Sequence, residues 1–412
     1  MMSPPTLDAI QAARVRGADL VLTTPLMETT SLTHQVGRRV ILKAENLQRA
    51  GSFKVRGALS ALSLLTEAQR GRGVVAASAG NHAQGVALAA SHLGIAATVF
   101  MPVGASIPKV AATRAYGAAI RLEGADLGEA VDEATAFATE TGARFIHPYD
   151  DPAIIAGQGT LGLELVEQLN EPAATFVIPV GGGGLIAGTA LAIKSHHPDS
   201  RVVGVQSSAV PAYLESRRAG APTTVPVQTT VADGIAVGRP SAIAFSLIEQ
   251  HVDDIVAVDD PPVTEAVALL LERAKLLVEP SGAVGMAAIL EGKVPGDGPV
   301  VAVLSGGNID LLLLDSLVRY GQESRGRFAA FNVHVPDQPG QLARVLTMIG
   351  DSGANVLSVE HHREGAGLPY GVVGIQISIA TRSHEHQEQL RETLEAQGIA
   401  LVPNPGSPSL QS

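Results

Sequence analysis

The residues of this chain best placed to do chemistry begin with a lysine. Lys54 lies in Gly51-Ser52-Phe53-Lys54-Val55-Arg56-Gly57, just after the strand-like run 39–43. Most lysines are solvated surface residues. A lysine in a small-residue loop at a strand end can instead sit inside a pocket, where lost hydration lowers its pKa and frees the amine to attack a carbonyl. The chemistry to expect is a Schiff base.

A second loop, Val180-Gly181-Gly182-Gly183-Gly184-Leu185, follows the apolar run 174–180 and opens a helical stretch, 185–194. Strand, glycine-rich turn and helix N-terminus together form an anion cradle, because bare backbone N–H groups and the helix dipole both favour negative charge. A tight turn alone rarely needs four glycines. Gly184 is followed by Leu185-Ile186, so this is no Walker A loop. Gly182, Gly184 and Ala187 fit a dinucleotide spacing, but the next strand ends in Gln206 where that fingerprint wants an acid. Ser305-Gly306-Gly307-Asn308 puts a hydroxyl after another buried run, 299–304. Ser78-Ala79-Gly80-Asn81-His82 follows the run 74–77 and forms a second anion nest of carboxylate size. A lysine, a phosphate cradle, a carboxylate nest and a hydroxyl at a strand end fit pyridoxal phosphate and a small amino-acid substrate.

Composition narrows the class. The chain has 412 residues, 46% hydrophobic and 17% charged, enough for two or three domains with sizeable cores. A net charge of -11 disfavours nucleic acid and anionic membrane surfaces as partners. With no tryptophan and 3% aromatic residues, a base-stacking platform is not expected. The absence of cysteine excludes disulfides, thiolate metal sites and cysteine nucleophiles. Without an apolar N-terminal segment or a membrane-length apolar run, the expected location is cytoplasmic.

The elements that must hold these residues alternate. Runs 74–77, 97–101, 119–122, 145–147, 176–180 and 202–205 read as strands. Stretches 81–93, 108–116, 127–141 and 152–169 read as helices, with Pro108 and Pro152 at first-turn positions and Gly94, Gly117 and Gly142 at exits. This is the βαβ rhythm of α/β proteins with parallel sheets. After a polar stretch, 320–327, the order becomes strand 328–335, helix 340–351, strand 355–362, strand 370–380, helix 384–397 and strand 399–403, an α+β ferredoxin-like βαββαβ unit. In 384–386, two histidines at i and i+2 lack the i, i+4 spacing of helical metal ligands.

Six segments in order, 51–58, 78–85, 154–160, 181–185, 232–235 and 305–308, resemble the threonine dehydratase (threonine ammonia-lyase) group of fold-type II, tryptophan synthase β-like, pyridoxal phosphate enzymes. Asp337-Gln338-Pro339-Gly340-Gln341-Leu342 and Gly353-Ala354-Asn355-Val356 resemble the ACT regulatory domain. The resemblance implies a two-lobed catalytic domain over 1–320, with a small lobe at 45–150 inserted in the large one. A linker at 321–327, an ACT domain at 328–404 and a tail at 405–412 follow. It implies Lys54 as Schiff-base residue and base for the Cα proton. Asn81 would bond the pyridine hydroxyl, Gly181, Gly182, Gly183, Gly184 and Leu185 would hold the phosphate, and Ser305 would face the ring nitrogen. Ser78, Ala79, Gly80, Asn81 and His82 would receive the substrate carboxylate, with capping or packing an equal alternative for His82. Asp337, Gly340, Leu342 and Asn355 would bind an amino-acid effector, between paired domains of a homodimer or homotetramer. A neutral hydroxyl at the ring nitrogen makes a weaker electron sink than an acid and favours α,β-elimination: threonine to 2-oxobutanoate and ammonia, serine to pyruvate.

Racemases of this fold use a serine as second base where this chain has Ala79. Those relatives hold a divalent cation through acids where this chain has Gln206 and Ala212, so no metal is expected. Tyr149 is closer to dehydratases, and Glu279 matches a family acid near the cofactor. The alternatives are a serine racemase, hydroxyaspartate dehydratase or threonine synthase on the same scaffold, or a non-catalytic amino-acid sensor. Ala79 speaks against the racemase and Lys54 against the sensor.

Overall fold

Ten strands in the first part of the chain make two sheets. In chain order they are β1 (Leu26–Glu28), β2 (Val40–Lys43), β3 (Val74–Ala77), β4 (Ala97–Met101), β5 (Ala119–Leu122), β6 (Arg144–Phe145), β7 (Thr175–Pro179), β8 (Arg201–Ser207), β9 (Asp254–Val258) and β10 (Val300–Val303). This computed structural model describes residues 3–169, 171, 174–363, 368–399 and 401–402. The chain divides into two compact units, Met1–Leu313 and Leu314–Ser412.

The larger sheet has the order β1-β2-β10-β7-β8-β9 and the smaller β5-β4-β3-β6. All neighbours are parallel except β1 with β2. Every residue of β2, β3, β7 and β10 is buried. That is why these strands read as unbroken apolar runs: helices cover both faces of a parallel sheet. Phe176, Ile178, Val301 and Val303 lie in the core of the large sheet. Val74, Ala76, Val99 and Met101 lie in that of the small one.

Helices Leu127–Thr141 and Pro152–Leu169 have the expected bounds. Asp126 caps the first through Glu129 N–H, and Gly142 ends it at φ 71°. The expected strand 145–147 is only Arg144–Phe145. His147 Nδ1 accepts the N–H groups of Tyr149 (3.3 Å) and Asp150 (2.8 Å), which bends the chain off the sheet.

In the second unit, β11 (Phe328–Pro336), β12 (Asn355–His362), β13 (Val372–Ala380) and β14 (Leu401–Val402) form an antiparallel sheet of order β12-β13-β11-β14. Helices Gln341–Asp351 and His384–Ala396 complete the βαββαβ unit, and Val345, Ile349, Leu390 and Leu394 enter its core. β13 begins at Val372 rather than 370, because Gly371 turns the chain at φ 77°. The stretch expected as a linker is partly helical. Helix Leu311–Glu323 continues through Gly321, and the chain turns only at Gly326, φ 62°. The tail at 405–412 lies outside the described residues.

Candidate active site

Three loops of the site leave the carboxyl edge of three adjacent parallel strands, β2, β10 and β7. Their chain positions are far apart, but the sheet order brings together the Lys54, Ser305 and glycine loops. Open α/β sheets bind ligands at this edge. The fourth loop, Ser78–Gly80, leaves β3 of the small sheet.

Lys54 is the first residue of helix Lys54–Ser63. The loop before it is laced to the Ser305 loop: Phe53 N–H donates to Ser305 O (3.2 Å) and Gly307 N–H to Gly51 O (2.9 Å). The one hydrogen bond of Lys54 Nζ among the described residues goes to Pro148 O at 3.2 Å. Burial pulls its pKa down to about 8, against the opposing pull of Glu279. The positive end of its own helix acts in the same direction as burial. The result is an amine with a sizeable neutral fraction near physiological pH.

Two residues on, Arg56 anchors the same helix in a buried ionic network. Its guanidinium meets Glu45 at 2.7 and 2.8 Å and Glu164 at 2.7 and 3.0 Å. Lys43 donates to Glu164, Thr24 O and Gln168, each at 2.8 Å. Burial alone would raise the Glu45 pKa, but Arg56, with Thr24 and Lys43, more than offsets this and lowers it. Two cations face two anions, so the network is neutral and every charge has a partner. Glycines let its helices approach: a Cβ on Gly157 would lie 2.4 Å from Arg56 O, and one on Gly188 2.2 Å from Ile155 O. This explains the segment 154–160, whose role sequence reasoning left open. It is a packing seam that also delivers Thr160 to Arg56 (3.1 Å).

The glycine loop joins β7 to helix Gly184–His196. Gly183 has φ 88°, the left-handed region that glycine adopts most readily. A Cβ on Gly182 would lie 2.2 Å from the Tyr149 ring, and one on Gly183 2.0 Å from Tyr213 Oη. The loop is thus bare backbone at the start of a 13-residue helix. Leu185 turns its side chain into the core, leaving only its backbone for a ligand.

Asn81 opens helix Asn81–His92 with its amide held at both ends. Its Nδ2 donates to Glu279 Oε1 (2.6 Å) and its Oδ1 accepts from Asn308 (2.8 Å). One amide N–H remains for another acceptor. Burial raises the Glu279 pKa to about 7, although Asn81 lowers it. Glu279 N–H is fixed to Gly306 O at 3.0 Å. Sequence reasoning gave neither Glu279 nor Asn308 a defined part here. The signal was Asn308 in the Ser305 segment, but its partner Asn81 is distant in sequence.

His82 does not present its ring as a cation. It is 4% exposed, its Nε2 bonds Ile146 O at 2.9 Å, and burial lowers its pKa to about 3. Its backbone N–H, like those of Asn81 and Ala83, lies in a first helical turn without intrahelical partners. Ser78 Oγ accepts Gly80 N–H at 3.1 Å, which shapes the nest. Ala79 offers only a methyl group. Ser305 is 3% exposed.

Gln206 Oε1 accepts the N–H groups of Tyr213 (3.0 Å) and Leu214 (3.2 Å), and its Nε2 reaches Val210 O at 3.5 Å. Its amide is thus occupied in capping helix Ala212–Ala219. Among the described residues no cluster of histidines and acids could hold a metal ion. His384 and His386 instead bond Ser324 O (3.0 Å) and Ser352 O (2.9 Å).

The four residues expected to hold an effector do not converge within one chain. Asp337 follows β11, and Gly340 caps helix Gln341–Asp351 at φ 89°. Leu342 packs on the core of the unit. Asn355 pairs with Ala380, which pairs with Phe328 at the opposite end of the sheet. At about 3.4 Å per residue, the length of β11 separates Asn355 from Asp337 by roughly 27 Å.

Residues 18–306 match the family described as pyridoxal-phosphate dependent enzyme, and residues 329–398 match the ACT domain. The L-threonine ammonia-lyase of Thermotoga maritima is 44% identical over 397 residues, 96% of this chain and 98% of that protein. That of Geobacter sulfurreducens is 43% identical over 401 residues, 97% and 99% of the two chains. Among solved structures, the processed form of threonine deaminase isoform 2 from Solanum lycopersicum gives a TM-score of 0.73 at 33% identity, covering 78% of this chain and 92% of that one. Maize serine racemase gives 0.73 at 36% identity, covering 78% and 99%. The pocket fits the cofactor of that family: a partly neutral amine, a side-chain-free anion cradle at a helix start and a hydroxyl at a strand end. No helix among the described residues is long and apolar enough to cross a membrane. The chain belongs to the pyridoxal-phosphate dependent enzyme family, and it carries a C-terminal ACT domain.

Proposed function

We propose that this chain is an L-threonine ammonia-lyase that also accepts L-serine and answers to a branched-chain amino acid. The observation that carries the reading is Lys54, an amine near pKa 8 with a single hydrogen bond, on the same sheet edge as a bare glycine cradle. Relatives carrying that name along nearly their whole length support it.

Pyridoxal phosphate, when bound, supplies the electron sink that acidifies the substrate Cα–H. Lys54 would hold it through its amine and, with that amine free, would take the Cα proton of the substrate as general base. Backbone N–H groups of Gly181 to Leu185 hold the phosphate. The free amide N–H of Asn81 would serve the ring hydroxyl, and the Ser305 hydroxyl would serve the ring nitrogen. The backbone of Ser78–His82 receives the carboxylate, and the His82 ring stays out of the pocket. Loss of the β-hydroxyl as water and hydrolysis of the resulting enamine give 2-oxobutanoate and ammonia from threonine. Ala79 holds no proton for the opposite face, so no racemisation accompanies elimination.

Regulation belongs to the second unit. β12 is an edge strand with mostly exposed residues. An antiparallel pairing of two such edges in a two-fold dimer brings Asn355 of the partner subunit to the end of the sheet that holds Asp337 and Gly340. A small amino acid would then sit between copies. The test is a steady-state assay on L-threonine, L-serine and 3-hydroxyaspartate, with and without isoleucine or valine. Expected are equal amounts of 2-oxobutanoate and ammonia from threonine, no D-serine from L-serine, and a rate that changes with effector. Turnover of 3-hydroxyaspartate alone, or comparable D-serine and pyruvate, overturns the reading.

A further inference from the structure

Tyr213 is a fully buried aromatic whose hydroxyl is spent on the glycine loop. It lies in the first turn of helix Ala212–Ala219 and donates to Gly182 O at 2.9 Å. No peptide bond among the described residues is cis. In a trans peptide the carbonyl and the following N–H point in opposite directions. Fixing Gly182 O toward Tyr213 therefore aims the Gly183 N–H the other way, off the Tyr213 side of the loop. The Tyr213 oxygen takes the space a Gly183 side chain would need, at 2.0 Å from its Cβ position. Tyr149 packs its ring against Gly182, so one tyrosine covers the loop while the other anchors it.

The anchor is itself held. Gln206, at the end of β8, accepts the backbone N–H groups of Tyr213 and Leu214 and so sets the start of the helix that carries the phenol. Burial raises the Tyr213 pKa well above the ordinary phenol value, so the hydroxyl stays protonated and remains a donor. Nothing in core packing requires this polarity: a phenylalanine would fill the same volume.

We infer that Tyr213 is a positioning residue of the phosphate cradle, holding the Gly182–Gly183 peptide so that the Gly183 N–H is presented to the phosphate of the cofactor. This rests on the reading of Gly181–Gly184 as the phosphate loop. It predicts that Tyr213→Phe, which keeps the ring and deletes one hydrogen bond, weakens recognition of the phosphate and not of the aldehyde.

The test uses the full-length protein stripped of cofactor. Wild type and Tyr213→Phe are titrated by absorbance with pyridoxal phosphate and, separately, with pyridoxal, which has the same aldehyde and no phosphate. The readout is the ratio of the two affinities. One hydrogen bond to a backbone carbonyl corresponds to roughly three- to tenfold, so the ratio should fall by about that factor while pyridoxal binding is unchanged. The phosphorus resonance of the bound cofactor should also shift. A variant that loses affinity for both compounds alike has only a packing defect and overturns the inference. So does a variant with the wild-type ratio, which shows that the loop holds its shape unaided. If wild type itself does not prefer the phosphorylated compound, the phosphate-loop reading fails first and the inference with it.

Discussion

Two lysines eleven residues apart show how the same side chain becomes scaffold or reagent. Lys43 spends all three N–H donors, on Glu164, Thr24 O and Gln168, and has no exposed surface. Lys54 has one bond, to Pro148 O at 3.2 Å. Burial lowers both pKa values, but Lys43 is tied into a neutral network, whereas Lys54 is left near 8. An ammonium with every proton bonded gains little by losing one. An amine short of partners stays open to reaction. The asparagine and histidine of the nest divide likewise: the Asn81 amide keeps one donor free, while His82 uses its N–H on Ile146 O.

The sharpest test of this contrast is Lys54→Ala. Threonine turnover should fall by at least about a thousandfold, since attachment and proton transfer are both lost. Borohydride reduction and peptide mapping of the wild type should label Lys54 and leave Lys43 unmarked. Label on Lys43 would invert the comparison.

Next comes stability. Arg56→Met strips two buried carboxylates of their main partner and should cost about 3–5 kcal/mol in denaturant unfolding, because an uncompensated buried charge is left behind. A loss under about 1 kcal/mol would mean that the network relaxes and does not anchor the Lys54 helix.

A smaller effect is expected in the pH dependence of the cofactor-free protein. The folded Lys54 pKa, about 8, lies below the ordinary 10.5. Between those values the unfolded chain binds more protons, so stability should rise with pH in that window. The part of the rise starting near pH 8 should vanish in Lys54→Met. Glu279 has the opposite sign. Its folded pKa of about 7 lies above 4.5, so its contribution is present below pH 4.5 and lost as pH rises through 7. Glu279→Gln should flatten that limb. Unchanged pH–stability curves in both variants would remove the electrostatic basis of the contrast.

The smallest effect is expected for His82→Gln, where an amide can still donate to Ile146 O. The KM for threonine should stay within about threefold, less than the loss of one charged contact to the carboxylate. A KM rise of about tenfold would return the imidazole to the substrate.

Much of this was legible in the chain itself. Helix bounds at Leu127–Thr141 and Pro152–Leu169 follow from Gly142 and Pro152, whose effects on backbone geometry are local. The buried strands follow from apolar runs, and the anion loops from glycines at strand ends. The order βαββαβ after residue 327 likewise needs only periodicity. The helical continuation through Gly321 was missed because a polar stretch is also what the outer face of a helix looks like.

Only the tertiary structure decided which groups are satisfied. Pairing of β2 with β10 joins residues 40–43 to 300–303 and so brings Ser305 beside Phe53. Glu164 reaches Lys43 and Arg56 from another helix, and Glu279 reaches Asn81 from the far side of the sequence. The effector residues were grouped by motif, yet antiparallel pairing sends Asn355 to the far end of its sheet. Backbone conformation answers to neighbours within a few residues. Hydration, charge and hydrogen bonding at a site answer to whatever the fold brings within a few ångströms, and those partners are remote in sequence. The amino-acid order determined that Lys54 stands at a strand end among small residues; the packing of distant elements left it the short-handed amine.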